Sequence, residues 1–124
     1  MARTYLPITC RWEDTVKNPP DLLPGTLDLL VLRTLTRGPL HGYGIARRVK
    51  ELSEDVLHVG ESSLYPALQR LLLDGYVEAE WGASENNRRA RFYTLTASGR
   101  RHLAAERKEF ERIVGAIQLV LSNA

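Results

Sequence analysis

At 124 residues with 44% hydrophobic content, the chain can bury one modest core and not two, so a single domain is expected. Its formal net charge is only +2, so any nucleic-acid surface has to come from where the charge sits and not from its total. No apolar run nears the roughly 20 residues that cross a bilayer and no signal-peptide pattern opens the chain, so a cytoplasmic protein with no membrane partner is expected, its one cysteine, Cys10, a free thiol.

Residues 1–21 form an arm, with Pro7, Pro19 and Pro20 and neither helical nor strand period. It is either disordered or laid on a neighbouring subunit through its apolar TYLPIT stretch and Trp12. The pattern then predicts a helix over Thr26 to Arg37, with Thr26 as N-cap, Asp28 in the first turn and Gly38-Pro39 as the stop. Its buried stripe reads Leu27, Leu30, Val31 and Leu35. A second helix over about Gly42 to Leu52 buries Ile45, Val49 and Leu52 and leaves Arg47, Arg48 and Lys50 in water, with His41 before it as a turn residue.

After an extended connection over Val56 to Val59, a third helix starts with its N-cap between Gly60 and Ser63, because Pro66 has no N–H and fits only near a helix start. Leu64, Ala67, Leu68, Leu71 and Leu72 fall at spacings of three and four and face a core. The other side carries Ser62, Ser63, Tyr65, Gln69 and Arg70, residues able to hydrogen-bond a phosphate or a base edge. Asp74-Gly75 ends the helix.

The period then changes to two. Tyr76 to Trp81 and Arg89 to Leu95 read as strands, joined by a loop over Gly82 to Arg88 too long for a tight turn and expected to be mobile. From Asn86 to Arg101 there are five arginines and no acidic residue. Arg88 and Arg89 are candidates for DNA contact, and Arg91 is either that or a cross-strand partner of Glu78 and Glu80. Arg100 and Arg101 sit in the first turn of the next helix, where the dipole disfavours cations, a placement that a nearby phosphate would explain.

The last helix runs from a cap at Thr96 to about Leu121, with Gly115 as its weak point. Leu103, Phe110, Ile113, Val114, Ile117, Val120 and Leu121 approach a heptad seam, longer than the small domain beside it can cover. A second copy of the same helix is the partner this predicts; the alternative folds the seam back on the Thr26 helix in a monomer. The expected class is therefore mainly α with a small β-hairpin: a winged helix-turn-helix over residues 22–96 and a dimerisation helix over residues 97–124.

No catalytic, metal or cofactor site is expected. His41, His58 and His102 lie on separate segments without the spacing of helical zinc ligands, and Ser62-Ser63 lacks a glycine-flanked nucleophile elbow.

LLPGTLDLLVLRTL, GPLHGYGIARRV, ESSLYPALQRLLLDGYVEAEWG and NNRRARFYTLTASGRRHL together resemble the PadR family of bacterial transcriptional regulators, from about Leu22 to the C-terminus. Leu64-Tyr65-Pro66-Ala67-Leu68 combined with Tyr93-Thr94-Leu95-Thr96 and Gly99 makes the resemblance specific. It implies a winged helix-turn-helix on double-stranded DNA, a homodimer through the C-terminal helix, and repression relieved by a small-molecule effector or other signal. By position, Tyr65 and the serines before it match the family's DNA-facing residues, and Arg88, Arg89 and Arg91 match its basic wing. Two features depart from the family: the lead before Leu22 is longer than usual, and Phe110 stands near where members that bind planar drugs carry a tryptophan, which argues against a flat-ligand pocket. The alternative from another class is a winged-helix module that holds a partner protein, for which Glu61 beside Ser62 speaks.

Overall fold

A computed structural model describes residues 25–123; the arm over 1–21, with Cys10 and Trp12, lies outside the described residues. Helix α1 spans Thr26–Thr34 and tightens into a 3-10 turn over Leu35–Arg37, which satisfies carbonyls the α-helix leaves open ahead of Gly38. Gly25, in the left-handed region at φ 85°, occupies the N-cap instead of Thr26. Val31, Leu32 and Leu35 are fully buried, with Leu27 and Leu29 packed beside them, whereas Leu30 is only half-buried. The predicted stripe missed Leu32 because α1 touches helices on more than one side, so its buried arc is wider than a single-faced pattern.

Strand β1, Leu40–His41, was not expected, and His41 is more than a turn residue. Its Nδ1 accepts a 3.0 Å hydrogen bond from the Gly44 N–H and so caps helix α2, Gly42–Leu52. Ile45 and Val49 of α2 are buried, but Leu52 is 63% exposed: the helix stops at Ser53, and Glu54 and Asp55 turn the chain away through left-handed backbone at φ 54° and 69°.

Helix α3, Glu61–Leu73, takes Gly60 as N-cap and buries Leu64, Ala67, Leu68 and Leu71, with half-buried Leu72 against the same core. Pro66 lies in its second turn, deeper than the first-turn rule prefers, and leaves the Ser62 carbonyl without its usual intrahelical donor. The exit is a Schellman cap: Gly75 at φ 77° donates to Leu72 O at 3.1 Å, and Tyr76 donates to Leu71 O at 3.0 Å.

Strands β2, Val77–Ala83, and β3, Arg89–Leu95, pair antiparallel from Val77 opposite Leu95 to Ala83 opposite Arg89, and β1 adds to the other edge of β3. The strand runs past Trp81 to Ala83, so the expected long loop shrinks to a compact turn. Asn87 N–H donates to Ser84 O at 2.8 Å and Ser84 N–H to Arg88 O at 2.7 Å, with Asn87 in the left-handed region that asparagine tolerates.

Helix α4, Ala97–Asn123, is fastened at its start by Thr96, whose Oγ1 accepts from Gly99 N–H at 2.9 Å and donates to Gly75 O at 2.8 Å. A Cβ on Gly99 would collide with the Tyr76 carbonyl oxygen, so the helix rests directly on the backbone at the hairpin root. Tyr76 and His102 stack at 4.0 Å across the same junction. Leu103, expected in the dimer seam, is instead buried in the chain's own core with Val31, Leu68, Val77 and Leu95. Beyond it α4 leaves the domain: Phe110 and Val114 are half-buried, and Ile113, Ile117, Leu119, Val120 and Leu121 are 39–74% exposed. Among the described residues, no helix is long and apolar enough to cross a membrane.

Candidate nucleic-acid interface

Strand alternation sorts the hairpin's charges onto two faces. Val77, Ala79, Trp81 and Ala83 share a face with Leu95, Tyr93, Arg91 and Arg89, while Glu78 and Glu80 lie on the opposite face beside Thr94 and Phe92. The first face is core at its root, where Val77, Tyr93 and Leu95 are buried, and becomes a cleft wall further out. The register sets Arg91 opposite Trp81, Phe92 opposite Glu80 and Thr94 opposite Glu78. The Arg91–glutamate pairing weighed from sequence is therefore absent among the described residues, and the basic side of the hairpin keeps its charge.

Helix α3 meets this face from the other side. Tyr65 is 48% exposed and its hydroxyl lies across Gly42 at the start of α2, where an added Cβ would sit 2.8 Å from it. A side chain at position 42 would push the Tyr65 ring out of this position. Tyr43, Tyr65, Trp81, Arg89, Arg91 and Tyr93 line a cleft of about 390 Å³ between the helices and the hairpin. Burial raises the Tyr93 hydroxyl above its ordinary pKa of 10.0, with Arg91 pulling in the other direction, so the phenol stays protonated near neutrality. Ser62 and Gln69 are exposed on α3 and Ser63 is half-buried.

Arg70 does not join them. Its guanidinium bonds Asp28 on α1 at 2.9 Å and braces the two helices, a use that sequence spacing hides because the partners lie 42 residues apart. Arg100 likewise reaches the Thr36 carbonyl at 3.5 Å, which gives that cation a role inside the chain. Glu85, the acid at the hairpin turn, lies 3.7 Å from Arg47 on α2. His41 stacks on Phe92 at 5.2 Å, and His58 Nε2 meets Asp55 O at 2.9 Å, so each of these histidines has a local structural contact.

Sequence reading missed the ring contacts of the arginines. Arg89 lies 4.5 Å over the Trp81 ring and Arg91 6.0 Å over the Tyr93 ring. Strand alternation across the hairpin was the available signal, since it places these four side chains on one face.

Residues 31–105 match the Transcriptional regulator PadR-like family. The chain belongs to that family. Its fold is accordingly a winged helix-turn-helix, with α2 and α3 as the helix-turn-helix and β2–β3 as the wing. An uncharacterised protein X of Lysinibacillus sphaericus is 26% identical over 103 residues, 83% of this chain and 94% of that protein. Among solved structures, a transcriptional regulator from Clostridium thermocellum superposes with TM-score 0.71 at 26% identity, covering 79% of this chain and 95% of that one. Bacillus subtilis PadR in complex with operator DNA superposes with TM-score 0.57 at 29% identity, over 64% of this chain and 46% of that one.

Proposed function

We propose that this PadR-like chain is a DNA-binding transcriptional regulator, acting as a homodimeric repressor that a small molecule or other signal releases. The observation that carries this reading is the partition of the wing: Arg89 and Arg91 share the cleft face with Trp81, opposite Tyr65 of α3, and Glu78 and Glu80 face away. The similarity to a PadR bound to operator DNA supports it. In this reading α3 enters the major groove with Ser62, Ser63, Tyr65 and Gln69, and Arg88, Arg89 and Arg91 of the wing reach the backbone or minor groove. Glu61 does not oppose it, because a carboxylate in the first turn complements the positive end of α3.

The seam on α4 supports the dimer. Phe110, Ile113, Ile117 and Val120 repeat at heptad spacing on a helix that outruns its own core, and most of them remain in water in the single chain. Residues 22–96 then serve as the DNA-binding unit and 97–124 as the dimerisation helix. A gel-shift of the protein against the DNA upstream of its own gene tests the reading; no shift on any duplex at low salt overturns it.

A further inference from the structure

Trp81 is a large ring, 58% exposed, on β2, whose buried residue is Val77 at its root. Its described partner is the Arg89 guanidinium, 4.5 Å from the ring centroid. Among the described residues Arg89 makes no ion pair, although Glu80 and Glu85 are on the same hairpin. The choice of partner has a chemical consequence. A carboxylate would occupy the N–H edge of the guanidinium and cancel its charge, whereas an aromatic face takes only the guanidinium's π-surface and leaves the charge and the in-plane donors available.

From this geometry we infer that Trp81 is a positioning residue for DNA binding: it holds Arg89 over the cleft so that its N–H edge meets one backbone phosphate, which Tyr65 approaches from α3. The inference rests on the DNA-binding reading above and adds to it a cause for the wing's order. A phosphate is the group that fits, because the cleft presents tyrosine hydroxyls from the helical wall and guanidinium donors from the hairpin wall, and no carboxylate lines it.

The test is a double-mutant cycle with Trp81→Ala, Arg89→Ala and the double variant, binding measured by fluorescence anisotropy on the upstream duplex and on a random duplex. Trp81→Ala is expected to weaken both duplexes by about two- to fivefold per half-site, the scale of an exposed cation–π contact. The double variant should bind no more weakly than Arg89→Ala alone, and Trp81→Phe should recover most of the loss. A merely structural role for Trp81 would persist in the Arg89→Ala background. A scan of single methylphosphonate substitutions should find one phosphate per half-site whose neutralisation weakens the wild type and leaves Arg89→Ala unaffected. Additive losses, or normal DNA binding by Trp81→Ala, overturn this inference and leave the regulator reading standing; a wild type that binds no duplex overturns both.

Discussion

The same substitution at two glycines of α4 should change stability in opposite directions. At Gly99 an added methyl collides with the Tyr76 carbonyl oxygen and lies 2.8 Å from Leu95 Cδ1. Backbone cannot yield as a flexible side chain does, so α4 must shift, straining the Thr96 bonds to Gly75 O at 2.8 Å and Tyr76 O at 3.1 Å. Overpacking costs about 1–3 kcal/mol. Weakening the two Thr96 bonds adds about 0.5–1.5 kcal/mol each. The gain in helix propensity offsets roughly 1 kcal/mol of this, leaving Gly99→Ala destabilised by about 1–5 kcal/mol. At Gly115 nothing lies within 4 Å of the added methyl. The position also falls away from the Phe110, Ile113, Ile117 seam, so only the propensity gain remains, up to about 1 kcal/mol stabilising. Urea unfolding followed by circular dichroism, at one protein concentration because a dimer's stability depends on it, measures both. A Gly99→Ala protein as stable as wild type would refute the close backbone contact that fastens α4 to the wing.

Replacing Arg88 and Arg89 together by Ala should weaken binding to all duplexes and lower the salt slope by up to about 2 with folding intact; an unchanged slope in a salt titration removes the wing from the interface. Gln69→Ala should lose about 1–3 kcal/mol of discrimination between upstream and random DNA, whereas Tyr65→Phe should weaken both alike; footprinting that finds both variants at the wild-type affinity ratio shows that α3 is not the reader. Ile117→Glu sets like charges against each other at the proposed two-fold seam and should give a monomer with operator affinity lower by orders of magnitude; a variant dimeric in sedimentation equilibrium, with normal binding, places the dimer interface elsewhere. Because burial raises Tyr93 above its ordinary 10.0, its contribution is complete below that pH and is lost as pH rises through the folded value, so alkaline unfolding should shift upward in Tyr93→Phe; identical alkaline profiles would show that Tyr93 is not the group responsible.

The elements with long periodic runs were legible from sequence: α3 with its leucine stripe, the hairpin with its period of two, and α4 with Thr96 as its cap. Strand β1 was not, because two residues carry no period and Leu40–His41 becomes a strand only by pairing with Tyr93 and Phe92. The same limit hid Leu32 and Leu103, whose burial depends on which helices surround them. In the candidate interface, residue types and positions were readable but partnerships were not: Arg70 is drawn to Asp28 by the packing of α1 on α3, and Trp81 meets Arg89 through the hairpin register. The wing turn was misjudged for a local reason, since Asn87 accepts a left-handed backbone and lets Ser84 to Arg88 close compactly.

Thr96 binds the start of α3's exit to the end of β3, so the long helix and the hairpin share one root. The helix of 27 residues is a rod about 40 Å long, and a tilt of about 5° at that root displaces its far end by roughly 3.5 Å. Run in reverse, because helix and hairpin are fastened at that root, a sideways movement of a few ångströms at the far ends, where two copies would meet, turns each hairpin through about 5° along with its rod. In the proposed dimer, a change of a few ångströms in how the rods cross would alter the separation and aim of the two wings without disturbing the packing inside either one.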